Sequence, residues 1–214
     1  MVKRRQFLAS AAALLLVRDA LAAGGVEKGV ARVQGDARIN GVQAKPGMDV
    51  KAGDVVQTFA GGQIVFVVNK DAFLLRANSR VELQGGAGSA LLTGLRVVTG
   101  ALLSVFPSGQ RKTISASTAT IGIRGTGIYV ESERDRSYVC TCYGEAEIVS
   151  NDDPSAREVV RTKHHEQPRY VMAKGAPQML MDAPVINHTD VELIMLEELV
   201  GRVPPFGSTP TGAY

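Results

Sequence analysis

Between residues 26 and 175, short runs of branched and aliphatic residues are broken by glycine and other turn formers about every 8 to 12 positions. Such runs are too short for amphipathic helices and suit strands. This spacing predicts an all-β domain, an antiparallel, meandering sandwich or barrel-like structure with one C-terminal helix. The early runs are Val30–Gln34, Ala37–Asn40, Val55–Phe59, Ile64–Val68, Phe73–Leu75 and Val81–Leu83. Leu95–Val98, Ala101–Phe106, Lys112–Ser117, Ala119–Ile123 and Ile128–Glu131 follow. Tyr138–Val149 and Glu158–Lys163 form the last clear pair. Gly35-Asp36, between the first two runs, reads as a hairpin turn. The chain has no Trp and few aromatics, so its core must come from Val, Ile, Leu and Ala. No strict repeat argues for a solenoid or propeller.

The pattern changes after residue 175. Residues 176–205 read as a linker and helix, and 206–214 as a disordered tail. Met172–Asn187 is rich in Ala, Pro and Met and suits a linker or an irregular edge. Thr189-Asp190-Val191-Glu192 has the form of a capping box. Val191, Ile194, Met195, Leu196, Leu199 and Val200 supply an apolar stripe that stops near Gly201 and Pro204-Pro205. A single helix after a β domain is expected to plug an open end or cover a sheet edge.

Residues 1–22 read as an export signal. Arg4 and Arg5 precede Phe7-Leu8, an apolar run covers Ala11–Val17, and Ala20-Leu21-Ala22 offers a small-residue cleavage site. The Arg-Arg-x-Phe-Leu core resembles a twin-arginine signal, a route that carries folded proteins. The expected location is the periplasm, or the outside of a bacterial cell more generally. All of the net charge of +3 belongs to this signal. Lys3, Arg4, Arg5 and Arg18 stand against Asp19, and the remaining basic and acidic residues balance. That balance argues against nucleic acid as a partner. Beyond the signal no apolar run is long enough for a membrane span.

Several segments together resemble the FecR domain, the periplasmic domain of ferric-citrate regulators. They are Ala52–Thr58, Gly62-Gln63, Asn78–Leu83, Leu95–Leu103 around Gly100, Ser117–Val130 and Gly144–Ile148. The resemblance covers about residues 48–150, and Gly122-Ile123-Arg124-Gly125-Thr126 is its most specific part. It implies an extracytoplasmic β domain that senses or binds a ligand or a protein. Family members typically signal through a membrane span to a sigma factor. This sequence shows no such span, so only the domain itself carries over. From the residues alone, Gly122 and Gly125 relieve steric limits. Arg124 reads foremost as a structural arginine bonding loop carbonyls, and otherwise as a ligand contact. Thr126 completes the stretch.

One constellation could carry chemistry. Cys140 and Cys142 are the only cysteines, and a Cys-x-Cys disulfide within a strand would be strained. If residues 138–149 and 157–168 form a hairpin, Cys140 faces His165 in one register, and Cys142 faces His164 in the next. Alternation puts both cysteines on one face and lets only one of His164 and His165 join them. Two thiolates and an imidazole would suit zinc, copper or iron. A fourth ligand could be water, a haem-type partner, His188 or Met179. The plain alternative is that both cysteines are small core residues. No hydrolase motif accompanies them. The expected function is thus a non-enzymatic exported module that binds a protein or small ligand, with a metal-binding protein as the alternative.

Overall fold

The computed structural model describes residues 28–85 and 91–210. The export signal expected over 1–22, with Arg4 and Arg5, lies outside the described residues. Among the described residues the chain forms fourteen strands in one mixed, open sheet, followed by one helix. The first seven strands are β1 (Gly29–Gln34), β2 (Ala37–Ile39), β3 (Val42–Gln43), β4 (Val55–Thr58), β5 (Gln63–Val68), β6 (Asp71–Leu75) and β7 (Arg80–Gly85). Three long strands follow in part: β8 (Leu92–Val105), β10 (Ala119–Ser132) and β11 (Arg136–Ser150), with the shorter β9 (Arg111–Ser115) between the first two. The chain then adds β12 (Arg157–Thr162), β13 (Arg169–Met172), β14 (Leu180–Asp182) and helix α1 (Asp190–Leu199). All pairings are antiparallel except β8 with β9.

The three long strands bend the sheet over itself. The first half of β10 pairs with β9 and its second half with β8, while β11 runs along both halves. β11 in turn pairs with β13 near its start and β12 near its end. Each bend falls at glycine. Gly125 has φ 62° and Gly144 has φ 93°, conformations that cost other residues about 1 kcal/mol or more. A Cβ on Gly144 would lie 2.4 Å from the Gly125 carbonyl oxygen, so the two strands meet there through bare backbone.

The bent sheet encloses an aliphatic core that includes Ile64, Phe66, Leu75, Val81, Leu95 and Ile121. The opposite face of β5, β6, β8, β10 and β11 builds a second core with Val67, Leu74, Leu103, Tyr129, Cys140 and Cys142. Alternation explains the division. In β5, Ile64, Phe66 and Val68 enter the first core, and Val65 and Val67 the second. A strand buried on both faces needs a continuous apolar run, and Ile64–Val68 is one. Helix α1 covers the second core with Leu193, Met195 and Leu196. Its capping box is complete, with Thr189 Oγ1 accepting from the Glu192 N–H and Glu192 accepting from the Thr189 N–H. Leu193, absent from the expected stripe, is its most buried apolar residue together with Leu196. Among the described residues no helix is long and apolar enough to cross a membrane.

Three expectations change. Gly35-Asp36 does not close a hairpin. β1 pairs with β5 and β2 with β4, so residues 29–39 run against 55–68 as one interrupted ladder. The Phe59 N–H donates to the Asp36 carbonyl, which sets one kink against the other. The apolar β5 is the better partner for Val30 and Val33. Next, of the two readings of Met172–Asn187, the edge segment holds over the linker. It contains β14, which extends the sheet beside β13, and Tyr138 donates to the Pro184 carbonyl at 2.9 Å. Finally, Phe206 does not belong to a loose tail. It packs edge-on against Tyr143 with ring centroids 6.0 Å apart.

Candidate metal centre

Cys140 and Cys142 lie on the β11 face that α1 covers, and both thiols are free. The ladder skips a residue here. Gly127 pairs with Tyr143 and Ile128 with Thr141, leaving Cys142 as the extra residue of a bulge. A bulge re-aims side chains, and it brings Tyr143 onto the same face as Cys142.

The β11–β12 ladder has the register that would set Cys142 opposite His164, but it ends at Gly144 and Thr162. Beyond it the chain turns. Thr162 Oγ1 accepts from the N–H groups of His164 and Glu166. His165 adopts φ 53° and donates its N–H to the Cys142 carbonyl at 2.9 Å. That backbone conformation is costly for histidine, and such strain concentrates at functional sites. It sends the His165 ring to the sulfurs, with Nδ1 3.4 Å from Cys140 Sγ. His164 turns aside, with its Nε2 2.8 Å from Asp190 Oδ1.

His188 completes the group, delivered by the segment leading into α1. Its Nε2 is 3.0 Å from His165 Nδ1, and its ring stacks on Tyr129 at 4.6 Å. One ligand atom each from Cys140, Cys142, His165 and His188 all lie within 4.8 Å of one another. All four residues are at most 4% exposed. Ligands about 2.0–2.3 Å from a tetrahedral ion stand about 3.3–3.8 Å apart, so small adjustments suffice. Met179 is held elsewhere, in the connection between β13 and β14, where its carbonyl accepts from the Met172 N–H.

The far side of each ring is also held. His188 Nδ1 contacts the Ile186 carbonyl at 2.6 Å, and His165 Nε2 lies 3.2 Å from Asp190 Oδ1. Asp190 is fully buried, the first residue of α1. Thr189, the helix cap, therefore separates two residues of this network. Phe206 closes the His164 side with ring centroids 4.6 Å apart. Burial pushes the Cys140 thiol up, but hydrogen bonding with Cys142, His165 and His188 outweighs it and holds the thiol well below the usual range. Burial, reinforced by neighbouring Cys140, pushes Cys142 well up. One negative charge is thus stabilised in the pair and a second resisted. Nearby, Tyr143 donates to Glu197, and burial first, then that carboxylate, raises the phenol.

The second group of interest, Gly122 to Thr126, lies on another face. Arg124 is exposed, and among the described residues it makes no hydrogen bond to a loop carbonyl. The structural role expected of it is therefore not what the fold uses; the tie to backbone is made by Thr126, whose Oγ1 donates to the Glu145 carbonyl at 2.9 Å. Gly125 forms the corner, and Gly122 lies on the open sheet surface. Asp190 is the site residue that sequence reasoning missed. Its signal was present in the capping box, which places it beside His188.

No family model matches the chain, and no curated protein matches it. Solved structures similar to it include two of "a putative anti-sigma factor from Parabacteroides distasonis ATCC 8503". One has 12% identity and a TM-score of 0.48, covering 60% of this chain and 58% of that one. The other has 13% identity and a TM-score of 0.43, covering 64% of this chain and 58% of its own. The chain thus spans less than two thirds of these neighbours.

Proposed function

We propose that the protein is a non-enzymatic, exported FecR-like module that holds one transition-metal ion between Cys140, Cys142, His165 and His188. One observation carries the metal reading. The Ile186 carbonyl can only accept, so His188 Nδ1 bears its proton and Nε2 carries a lone pair. Asp190 ionised can likewise only accept, so His165 Nε2 bears a proton and Nδ1 carries a lone pair. While both rings are neutral, those two lone pairs face each other across 3.0 Å in a buried site beside two sulfurs; without a cation, only an added proton on one ring could fill that gap and donate to Cys140. A cation between them removes the repulsion and lets both thiols ionise. A carbonyl and a carboxylate orienting the far nitrogens is the usual support of metal-bound histidines.

Zinc suits this set best, since two sulfurs and two nitrogens in a closed, buried tetrahedron make a structural site. Copper and iron share the ligand chemistry. With four protein ligands the ion has no position for substrate, which favours a binding or sensing role over catalysis. The Arg4-Arg5 signal supports export of the folded, already loaded protein. The Gly122–Thr126 likeness supports the FecR-like assignment.

Metal analysis of protein recovered from its native compartment tests the reading, with one ion per chain expected. Cobalt(II) added to the apoprotein should give a thiolate charge-transfer band. Cys140→Ser, Cys142→Ser, His165→Ala and His188→Ala should each lose the ion, and His164→Ala should keep it. Absence of metal in native protein together with no cobalt–thiolate band would overturn it.

A further inference from the structure

Strands β9 to β12 present an exposed face opposite the first core, and the registers place its residues in rows. One row reads Arg111, Arg124, Glu145, Arg161. The next reads Thr113, Gly122, Glu147, Val159. The carboxylates are committed on the β12 side: Arg161 pairs with Glu145 at 2.7 Å, and Arg157 with Glu147 at 3.1 Å. On the β9 side two arginines stand directly opposite each other. Neither forms an ion pair among the described residues. Like charges directly opposed destabilise a strand pair. A fold that pairs its other arginines on this face but leaves these two together has kept a feature that stability alone disfavours.

A cavity of about 420 Å³ lies over these rows, lined by Arg111, Thr113, Thr120, Gly122, Arg124 and Glu147 among others. A second, of about 500 Å³, adjoins it and shares Arg124 and Glu145. Gly122 is its informative residue. A Cβ there would meet nothing nearer than Glu147 Cβ at 3.9 Å, and its backbone needs no left-handed conformation. Packing does not require glycine at 122, yet its missing side chain keeps the cavity floor open. Arg124 is presented from a fixed corner. A Cβ on Gly125 would sit 2.8 Å from Ser108 Cα, and Thr126 is tied to β11.

We propose that this corner is a binding groove for a small phosphate-type oxyanion gripped by Arg111 and Arg124. The proposal is independent of the metal reading. Two guanidinium groups offer paired donors that match phosphate oxygens. The fixed mounting of Arg124 lowers the ordering cost of binding. Glu145 and Glu147 on the opposite wall repel extended polyanions, so the groove suits a compact ligand. The Gly-Ile-Arg-Gly-Thr stretch thereby receives a division of labour: floor, arm, corner and anchor.

Calorimetry of the purified chain with inorganic phosphate, at fixed ionic strength, tests it. Saturable binding is expected. Arg111→Gln and Arg124→Gln should each weaken it by about tenfold or more, equivalent to about 1.4 kcal/mol. Gly122→Val should block binding while leaving the melting temperature near wild type. Arg38→Gln, on the exposed Arg38–Asp36 pair, should change nothing. Arg111→Thr should raise the melting temperature of the ligand-free protein by removing the like-charge contact. Succinate displacing phosphate at equal concentration would overturn the phosphate assignment in favour of a dicarboxylate. Lack of saturable phosphate binding, or unchanged binding in the Arg111→Gln/Arg124→Gln double variant, would overturn the site.

Discussion

The two cores share strands but rest on different physics. β11 contributes Val139, Ala146 and Ile148 to one and Tyr138, Cys140 and Cys142 to the other. The first core is mainly apolar, with the Lys112–Asp71 pair (2.8 Å) buried beside Phe106, and most of its stability follows from area removed from water, about 25 cal/mol per Å². The second borders His165, His188, Asp190 and Glu197, all buried, and each must find a partner. Its helix is attached by apolar contacts and also by polar links: Arg76 makes two bonds to Glu192, and Arg202 bonds Glu197. Opposite faces of one sheet can therefore have stabilities that respond to different conditions.

The sharpest test of that difference is metal removal. A chelator should cost about 4 kcal/mol if the ion is present at a thousand times its dissociation constant. Hydrogen exchange should show the loss in α1 and residues 162–166, with β9 and residues 119–123 still protected. Equal loss of protection in both regions would erase the distinction between the cores. Ile121→Ala, fully buried in the aliphatic core, should cost about 3 kcal/mol by chemical denaturation. That cost should be the same with and without metal, because distant sites add.

Gly127→Ala should cost about 2 kcal/mol and act on the metal side. A Cβ there would lie 2.3 Å from Tyr143 Cε1, so the ring must leave its bond to Glu197. Thermal melts should show the loss, and metal-dependent protection of α1 should shrink with it. Thr189→Ala removes the helix cap and should cost about 1 kcal/mol. Because Thr189 lies between His188 and Asp190, metal affinity measured by competition should fall by about fivefold.

The smallest effect concerns an edge remote from the metal. Arg169 hydrogen bonds to Glu158 and holds its carboxyl below the usual range, against a smaller opposing effect of burial. A depressed carboxyl stabilises the fold above its unfolded value of about 4.3 and loses that contribution as pH falls through the folded value. The pair is partly exposed, so Arg169→Gln should flatten the acid limb by less than about 0.5 kcal/mol. It should leave metal content unchanged.

Much of the sheet was legible because a strand's apolar period is local. Ile64–Val68, Val81–Leu83 and Tyr138–Val149 each lie within a strand. Where bends occur, single strands read as two: Leu95–Val98 and the run from Ala101, which β8 follows as far as Val105, are parts of β8, and Ala119–Ile123 and Ile128–Glu131 are parts of β10. β13 and β14 escaped notice, being short and at the sheet edge, where few apolar residues are needed. The placement of Cys140 and Cys142 on one face was also legible, from the two-residue period alone. The choice of His165 over His164 was not, because the ladder ends at Thr162 and the turn beyond it sets the ring directions.

The sequence by itself determined the β character, the capped helix and the spacing that keeps both sulfurs together, since each depends on neighbours within a few residues. Tertiary structure decided which strands pair across Gly35-Asp36, where His165 and His188 meet, and that Arg111 opposes Arg124. Those outcomes depend on which surfaces are buried against each other, a competition between segments far apart in the chain that local periodicity does not encode.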